Sequence, residues 1–326
     1  MADKSDDQSA RPPVIVVAGP TASGKSGLAL ALAEAVGGVV INADSMQVYR
    51  ELAILTARPG PEALAHAPHR LYGVLPGDEP CSAGRWRALA LEEIAACHAD
   101  GAVPIVVGGT GLYLRALEDG LAPIPEVPAE ARAAARALHG ELGGPGFHAA
   151  LAERDPVMAA RLRPSDSQRL IRAWEVLEAT GRSLADWQAD ATDPVGAPAP
   201  YRFLRLVCLP PRDRLYAACD ARFLRMVEAG AVEEVRALRA LGLDPALPIM
   251  KALGVPELSA HLDGRLTRDQ AITRAQTATR NYAKRQMTWL RTQMPEGAAT
   301  VIVGEQYSES FDQEIFTKIR HFLLTG

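Results

Sequence analysis

The sequence predicts an α/β fold: a P-loop-type parallel sheet core flanked by helices, interrupted by an all-helical insertion domain. Three observations carry that reading. An apolar run over 14–18 leads into a G-x-x-x-x-G-K-S loop, and apolar residues at helical spacing follow it. Short apolar runs then recur between helical stretches, the alternation that builds parallel sheets. Between positions 120 and 200 the alternation stops, with no strand pattern and with prolines near both ends.

Each element follows from its residues. Leucine and alanine alternate over 28–33 in the helix after the loop, and 38–41 form a second buried strand running into Asn42, Ala43 and Asp44. Residues 71–74 give a weak third strand. Ser82 opens a helix to Cys97, with Trp86, Leu89, Leu91, Ile94 and Ala95 on its apolar side. A fourth strand over 103–107 ends in a second glycine-rich loop of Gly108, Gly109, Thr110 and Gly111.

From Gly120 onward, Pro123, Pro125 and Pro128 break the chain before a helix over 129–139 and a turn at 143–146. Ser165 is the expected N-cap of a later helix, with Leu170, Trp174 and Leu177 as its buried stripe. Gln168, Arg169 and Arg172 lie on its other side. Pro194, Pro198 and Pro200 form a linker back to a strand over 203–209. Helices over 211–227 and 231–240 come next, then a turn-rich connection over 249–258. A long helix over 267–294, a strand over 300–303 and a terminal helix over 310–324 complete the chain. The expected organisation is a disordered tail (1–12), a first core segment (13–119), the insertion (120–200) and the core continuation (201–326).

With 326 residues, 48% hydrophobic and 23% charged, the chain can bury a sizeable core, and its composition is that of a soluble globular protein. No apolar run approaches the roughly 20 residues that span a bilayer, so no membrane partner and a cytoplasmic location are expected. A net charge of −4 gives no global basic signal, so any nucleic-acid binding must use a local patch. Cys81, Cys97, Cys208 and Cys219 have neither C-x-x-C spacing nor paired histidines, so they read as neutral thiols of a reducing compartment.

The chemistry concentrates in three places. The loop of Gly19, Pro20, Thr21, Ala22, Ser23, Gly24, Lys25 and Ser26 places backbone N–H groups and a helix N-terminus around phosphate. Lys25 adds a charge there, and the Ser26 hydroxyl is a Mg²⁺ ligand. Asp44, at a strand end, is either a functional carboxylate or a helix N-cap. Thr110 is either a donor to a ligand or the cap of a tight strand-to-helix turn. On the long helix Thr277, Arg280, Lys284, Thr288 and Arg291 share a face that is either solvated or turned toward phosphates. Ile272, Ala275, Tyr282, Gln286 and Trp289 mark another.

Taken together, these segments resemble the tRNA dimethylallyltransferases of bacterial type. The motifs stand in the family's order: the loop 19–26, then 44–50 from Asp44 to Arg50, then 108–114. Asp166 to Arg172, Arg222 with Phe223 and Met226, and 282–291 follow. The resemblance implies transfer of a dimethylallyl group from dimethylallyl diphosphate to N6 of adenosine 37, beside the tRNA anticodon, with release of diphosphate. It implies Asp44 as general base, Thr110 as phosphate donor, and Arg222 with Mg²⁺ stabilising the leaving group. It implies tRNA contacts from Asp44, Ser45, Met46, Gln47 and Thr110. In the insertion they would come from Arg132, Gln168, Arg169, Leu170, Ile171 and Arg172, and on the long helix from Lys284, Arg285, Gln286 and Arg291. The anticodon stem-loop is then the macromolecular partner, and a monomer is expected. ATP, which such a loop often binds, is not the expected catalytic substrate.

The chain departs from the family where a Gly-Tyr-Lys-Glu run is common, with Val255 and Pro256 between Gly254 and Glu257. Three rivals stay open: a P-loop kinase of small molecules, an adenylate isopentenyltransferase acting on free nucleotides, and an RNA-binding module with a structural loop. The insertion and the basic end of the long helix favour tRNA over the first two. The third would leave Lys25, Ser26, Asp44 and Thr110 unused.

Overall fold

The computed structural model describes residues 11–190, 199–297, 299–305 and 313–325. The expected tail up to residue 10, Pro194, Pro198 and the first residues of the terminal helix lie outside them. The chain divides into two compact units, one within Met1–Glu118 and Ala199–Gly326, the other within Asp119–Pro198.

The first unit is built on a six-stranded sheet of β1 (Pro13–Ala18), β2 (Gly38–Asn42), β3 (His69–Arg70), β4 (Val103–Gly108), β5 (Arg202–Cys208) and β6 (Thr300–Val303). The strand order is β3-β2-β4-β1-β5-β6, and every pairing is parallel. Alternate residues face opposite sides, as the pleat requires. Val14, Val16 and Ala18 of β1 join a core with Ile41, Val106, Trp86, Phe223 and Leu290. Ile15 and Val17 join a second with Leu28, Leu32, Ile105, Leu206 and Ile319. Both sheet faces are therefore covered, which is why the central strands read as unbroken apolar runs.

The helices that cover them are α1 (Lys25–Val36), α2 (Pro61–His66), α3 (Ala83–Ala99) and α4 (Gly111–Asp119) in the first half. The second unit contains α5 (Ala129–Arg154), α6 (Pro156–Arg161), α7 (Ser167–Thr180) and α8 (Leu184–Ala189). Its core is apolar, with Val127, Phe147, Leu151, Leu170 and Val176. The first unit then resumes with α9 (Arg212–Glu228), α10 (Ala231–Ala240), α11 (Val255–Leu262), α12 (Arg268–Gln293) and α13 (Gln313–Leu324).

Four local expectations are corrected. The third strand lies at His69–Arg70 and not over 71–74, because Leu71 (φ 64°) and Gly73 (φ 63°) take left-handed backbone that ends extended pairing. Ser165 does not cap α7, which starts at Ser167 after Asp166, and Leu177 is only half-buried while Ala173 and Val176 fill the stripe. The helical stretch from 129 does not stop at His139 but continues to a break at Gly143 (φ 65°, ψ 173°), and Pro145 is accommodated in the first turn beyond it. The connection over 249–258 contains the start of α11. Pro256 fits in that helix's first turn, and the Glu257 side chain accepts from the Gly254 N–H at 3.2 Å.

Candidate active site

The phosphate loop lies where β1 ends and α1 begins. Gly24 takes φ 87° immediately before Lys25, a conformation that glycine adopts without steric cost, and Ala22 is also left-handed at φ 64°. The Ser23 hydroxyl is fully buried with no partner among the described residues, a donor turned inward in the loop. Ser26 is exposed in the first turn of α1. Lys25 Nζ donates to the Pro20 carbonyl at 3.2 Å. Burial pulls the Lys25 pKa down to about 8; Asp44 opposes that shift and Arg222 adds to it.

Three neighbouring strand ends are laced together around this loop. The Gly19 N–H donates to the Gly108 carbonyl at 3.3 Å, and the Ala43 N–H donates to the Val107 carbonyl at 2.7 Å. Asn42 closes β2 with all of its amide in use. Its Oδ1 accepts from the Asp44 N–H at 2.8 Å, and its Nδ2 donates to the Asp44 and Leu71 carbonyls, both at 3.1 Å. Trp86 Nε1 donates to the Asn42 carbonyl at 2.8 Å and its ring stacks on Tyr113 with centroids 4.5 Å apart.

Asp44 therefore sits on a fixed strand end. No helix follows it, so the helix-cap reading fails. Its Oδ1 accepts from the Met46 N–H at 2.9 Å in a local turn, and its other oxygen has no hydrogen-bond partner among the described residues. Thr110 does not cap α4 through its side chain. Its Oγ1 accepts from the Ser45 N–H at 3.1 Å and lies 3.4 Å from Ser45 Oγ, which joins the second glycine loop to the Asp44 turn. The Tyr282 side chain lies beside Thr110, and burial followed by the Asp44 charge raises its pKa.

Arg222 reaches the loop from α9. Its Nη1 donates to Thr21 Oγ1 at 3.5 Å and its Nη2 to the Thr56 carbonyl at 3.4 Å. Burial lowers its pKa and Asp44 raises it. Thr56 belongs to a loop that Glu234 organises: Oε1 accepts from Ala53 and Ile54 N–H at 2.6 and 2.7 Å, Oε2 from Leu55 N–H at 2.9 Å. Gln47 ties the same loop, donating to the Thr56 and Ala57 carbonyls at 2.8 and 3.2 Å. Cys208 and Cys219 lie near Lys25, and burial raises their thiols to about 12 and about 11, so both stay neutral.

The structure thus brings Asp44, Thr110, Arg222 and the loop 19–26 together, with Ser45, Met46 and Gln47 beside them. The residues expected to meet RNA separate into two kinds. Gln168, Arg169, Lys284, Arg285 and Arg291 are exposed, and Arg132 and Arg172 half-buried. Leu170 is fully buried in the core of its unit and presents no contact surface, while Ile171 is half-buried against that core. Gln286 is buried, with both ends of its amide bonded to backbone: Oε1 accepts from the Thr21 N–H at 2.9 Å and Nε2 donates to the Gly109 carbonyl at 2.8 Å. It braces the loops and offers no free group to RNA. The sequence does not single out Asn42 or Glu234, and it marks Tyr282 only as part of a helix face and of the 282–291 motif. Of Asn42 and Glu234, only Asn42 carried a local signal, as a polar residue ending an apolar strand beside Asp44.

A parallel sheet with a glycine loop opening a helix after its first strand defines a P-loop-type α/β protein, here with a carboxylate, a threonine and an arginine around the loop. The IPP transferase family model matches residues 47–293 and the isopentenyl transferase model residues 12–77. The chain belongs to the IPP transferase family. It is 64% identical to the tRNA dimethylallyltransferase of Rhodospirillum centenum, covering 86% of this chain and 89% of that one. It is 57% identical to that of Paramagnetospirillum magneticum, with 96% and 98% covered. Among solved structures, a full-length tRNA isopentenylpyrophosphate transferase from Bacillus halodurans matches with a TM-score of 0.67 at 31% identity, covering 96% and 97% of the two chains. A eukaryotic dimethylallyltransferase acting on tRNA matches with a TM-score of 0.77 at 25% identity, covering 94% of this chain and 77% of the other.

Proposed function

We propose that this protein transfers the dimethylallyl group of dimethylallyl diphosphate to N6 of adenosine 37 in tRNA. The observation that carries the proposal is the convergence of Lys25, Asp44, Thr110 and Arg222, from four different elements, on one strand-end site.

The allylic C–O bond breaks as the C–N bond forms, the N6 proton leaves, and diphosphate departs with the electron pair. Lys25, Arg222 and the loop N–H groups would stabilise the charge that builds on the leaving diphosphate. Thr110 would donate to its oxygens. The unpartnered oxygen of Asp44 would orient the amine and take its proton, since the lone pair of an aromatic amine is delocalised until that proton is withdrawn. Among the described residues no group of three or more His, Cys, Asp or Glu could hold a metal. The exposed Ser26 hydroxyl nonetheless fits Mg²⁺, which takes few protein ligands and completes its shell with phosphate oxygens and water. When bound, Mg²⁺ would supply further neutralisation of the diphosphate.

The target adenosine is stacked in the anticodon loop, and taking it out costs a few kcal/mol. Exposed Gln168 and Arg169 with Arg172 on α7, and Lys284, Arg285 and Arg291 on α12, are the contacts proposed to supply it. The protein would act in the cytoplasm as a monomer; no helix among the described residues is long and apolar enough to cross a membrane.

Incubation with radiolabelled dimethylallyl diphosphate and tRNA, AMP or ATP tests the reading. Label is expected in tRNA, at the adenosine 3′ of the anticodon. Label in AMP or ATP alone would indicate the free-nucleotide enzyme, and no transfer to any acceptor would remove the prenyltransferase reading.

A further inference from the structure

The inner face of α12 carries Tyr282, Gln286 and Trp289, spaced i, i+4 and i+7 and so aligned on one side. They address three successive residues of the second glycine loop. Tyr282 lies beside Thr110, Gln286 bonds Gly109, and Trp289 packs so closely on Gly111 that a Cβ there would meet the indole at 2.5 Å. Gln286 also takes the Thr21 N–H of the phosphate loop at 2.9 Å. A side chain at Gly109 would strike Gln286 Nε2, and would stand 2.7 Å from the Gly19 carbonyl. The amide thus fills the gap between the two loops.

We infer that Gln286 is a positioning residue: its amide sets the register of the phosphate loop against the Thr110 loop, so that one diphosphate engages both. The bond to Thr21 matters because Thr21 also receives Arg222, so a single residue fixes the loop backbone and the arginine's partner. In an unbraced site, Lys25 with its loop and Thr110 would bind phosphate oxygens as two independent halves. The inference rests on the proposed use of this site for a diphosphate. It goes beyond that reading by assigning the brace to a residue that touches no substrate.

The test is calorimetric binding of inorganic diphosphate with Mg²⁺ to the wild type, Gln286→Met and Gln286→Glu, together with kcat, KM and tRNA affinity. Methionine keeps the volume and removes both hydrogen bonds. Glutamate keeps an acceptor for Thr21 and sets an oxygen against the Gly109 carbonyl. Loss of two buried hydrogen bonds is expected to weaken diphosphate binding about tenfold or more in Gln286→Met. KM for dimethylallyl diphosphate should rise with it, while tRNA affinity stays within about twofold. Simple destabilisation would instead reduce the active fraction, lowering apparent kcat with KM and diphosphate affinity unchanged, and that pattern would overturn the inference. If Gln286→Met does not fold, Gln286→Glu carries the same test. Because the probe is inorganic diphosphate, a wild type that fails to prenylate tRNA refutes the proposed reaction and leaves the Gln286 result readable.

Discussion

The strand-end site and the helical unit within Asp119–Pro198 handle polar groups in opposite ways. At the strand ends Asn42, Ser23 and Gln286 are buried, and the amides of Asn42 and Gln286 are spent on backbone. In the helical unit the core is apolar and the arginines stay at the surface. Arg154 pairs with Glu178 at 2.6 Å and lies over Trp174, and Arg182 pairs with Asp190 at 3.0 Å and lies over Trp187. Such exposed pairs contribute little individually. Buried amides are costly to disturb, because an orphaned partner loses its solvation as well as its bond. The first region is therefore a geometry, sensitive to single atoms, and the second is a surface whose effects accumulate by charge.

Substitutions should separate the two. The steepest effect belongs to Asp44→Ala, which is expected to lower kcat by roughly 10²–10⁴-fold with tRNA affinity retained, measured by single-turnover prenyl transfer and a binding titration. Normal turnover in that variant would refute the assignment of Asp44 as base. Reversing the charge of both Arg169 and Arg172 should act in the other sense. Affinity for tRNA is expected to fall by about one to two orders of magnitude, with a shallower dependence on salt and unchanged binding of inorganic diphosphate. Unaltered tRNA affinity would remove this surface from the interface.

What the sequence made legible follows the same division. The glycine loops, the Asp44 strand end and the apolar strands were readable because backbone geometry restricts which residues can stand there, and the restriction shows as a motif. The brace was not readable. Gln286 is separated from Thr21 by 265 positions, and nothing local distinguishes a glutamine that spans two loops from one that faces water. The family resemblance groups it with RNA contacts. The same resemblance adds Leu170 and Ile171, although the buried stripe already claims Leu170. The start of helix α11 falls in the stretch 249–258 that the sequence presents as turn-rich, and only the Gly254–Glu257 cap shows that Pro256 sits where a helix tolerates it.

Within the helical unit, Asp155 is handled as the strand ends handle their polar groups. Asp155 is buried at the start of α6, where Oδ1 accepts from the Met158 N–H at 2.9 Å and Oδ2 from Ser183 Oγ at 2.7 Å. Asp155→Ala removes a helix cap and orphans a hydroxyl, so thermal or denaturant unfolding should show a loss of about 1–3 kcal/mol. Diphosphate affinity should not change. A parallel loss of diphosphate binding would mean that the two regions are not separable in this way.

The effect that is smallest near neutral pH, and the sharpest test of the strand-end site, is its response to pH. Lys25 ordinarily titrates at 10.5 and is held down to about 8 by burial, while Cys208 at about 12 and Cys219 at about 11 stay neutral through that range. Below pH 8 the lysine is charged in folded and unfolded protein alike, and the cost of burying that charge is fully present. Between about 8 and 10.5 the folded protein has released the proton and the unfolded chain still holds it, so this group's contribution to stability rises with pH. Diphosphate prefers the charged lysine, so its affinity should decline over the same interval by up to about tenfold per pH unit. Binding near pH 8.5, roughly half a unit above the lysine pKa, should draw a proton from buffer, visible as a dependence of calorimetric heat on buffer ionisation enthalpy. Lys25→Arg should abolish both slopes, because a guanidinium stays charged throughout. If that variant kept the wild-type pH dependence, the titrating group would lie elsewhere in the site.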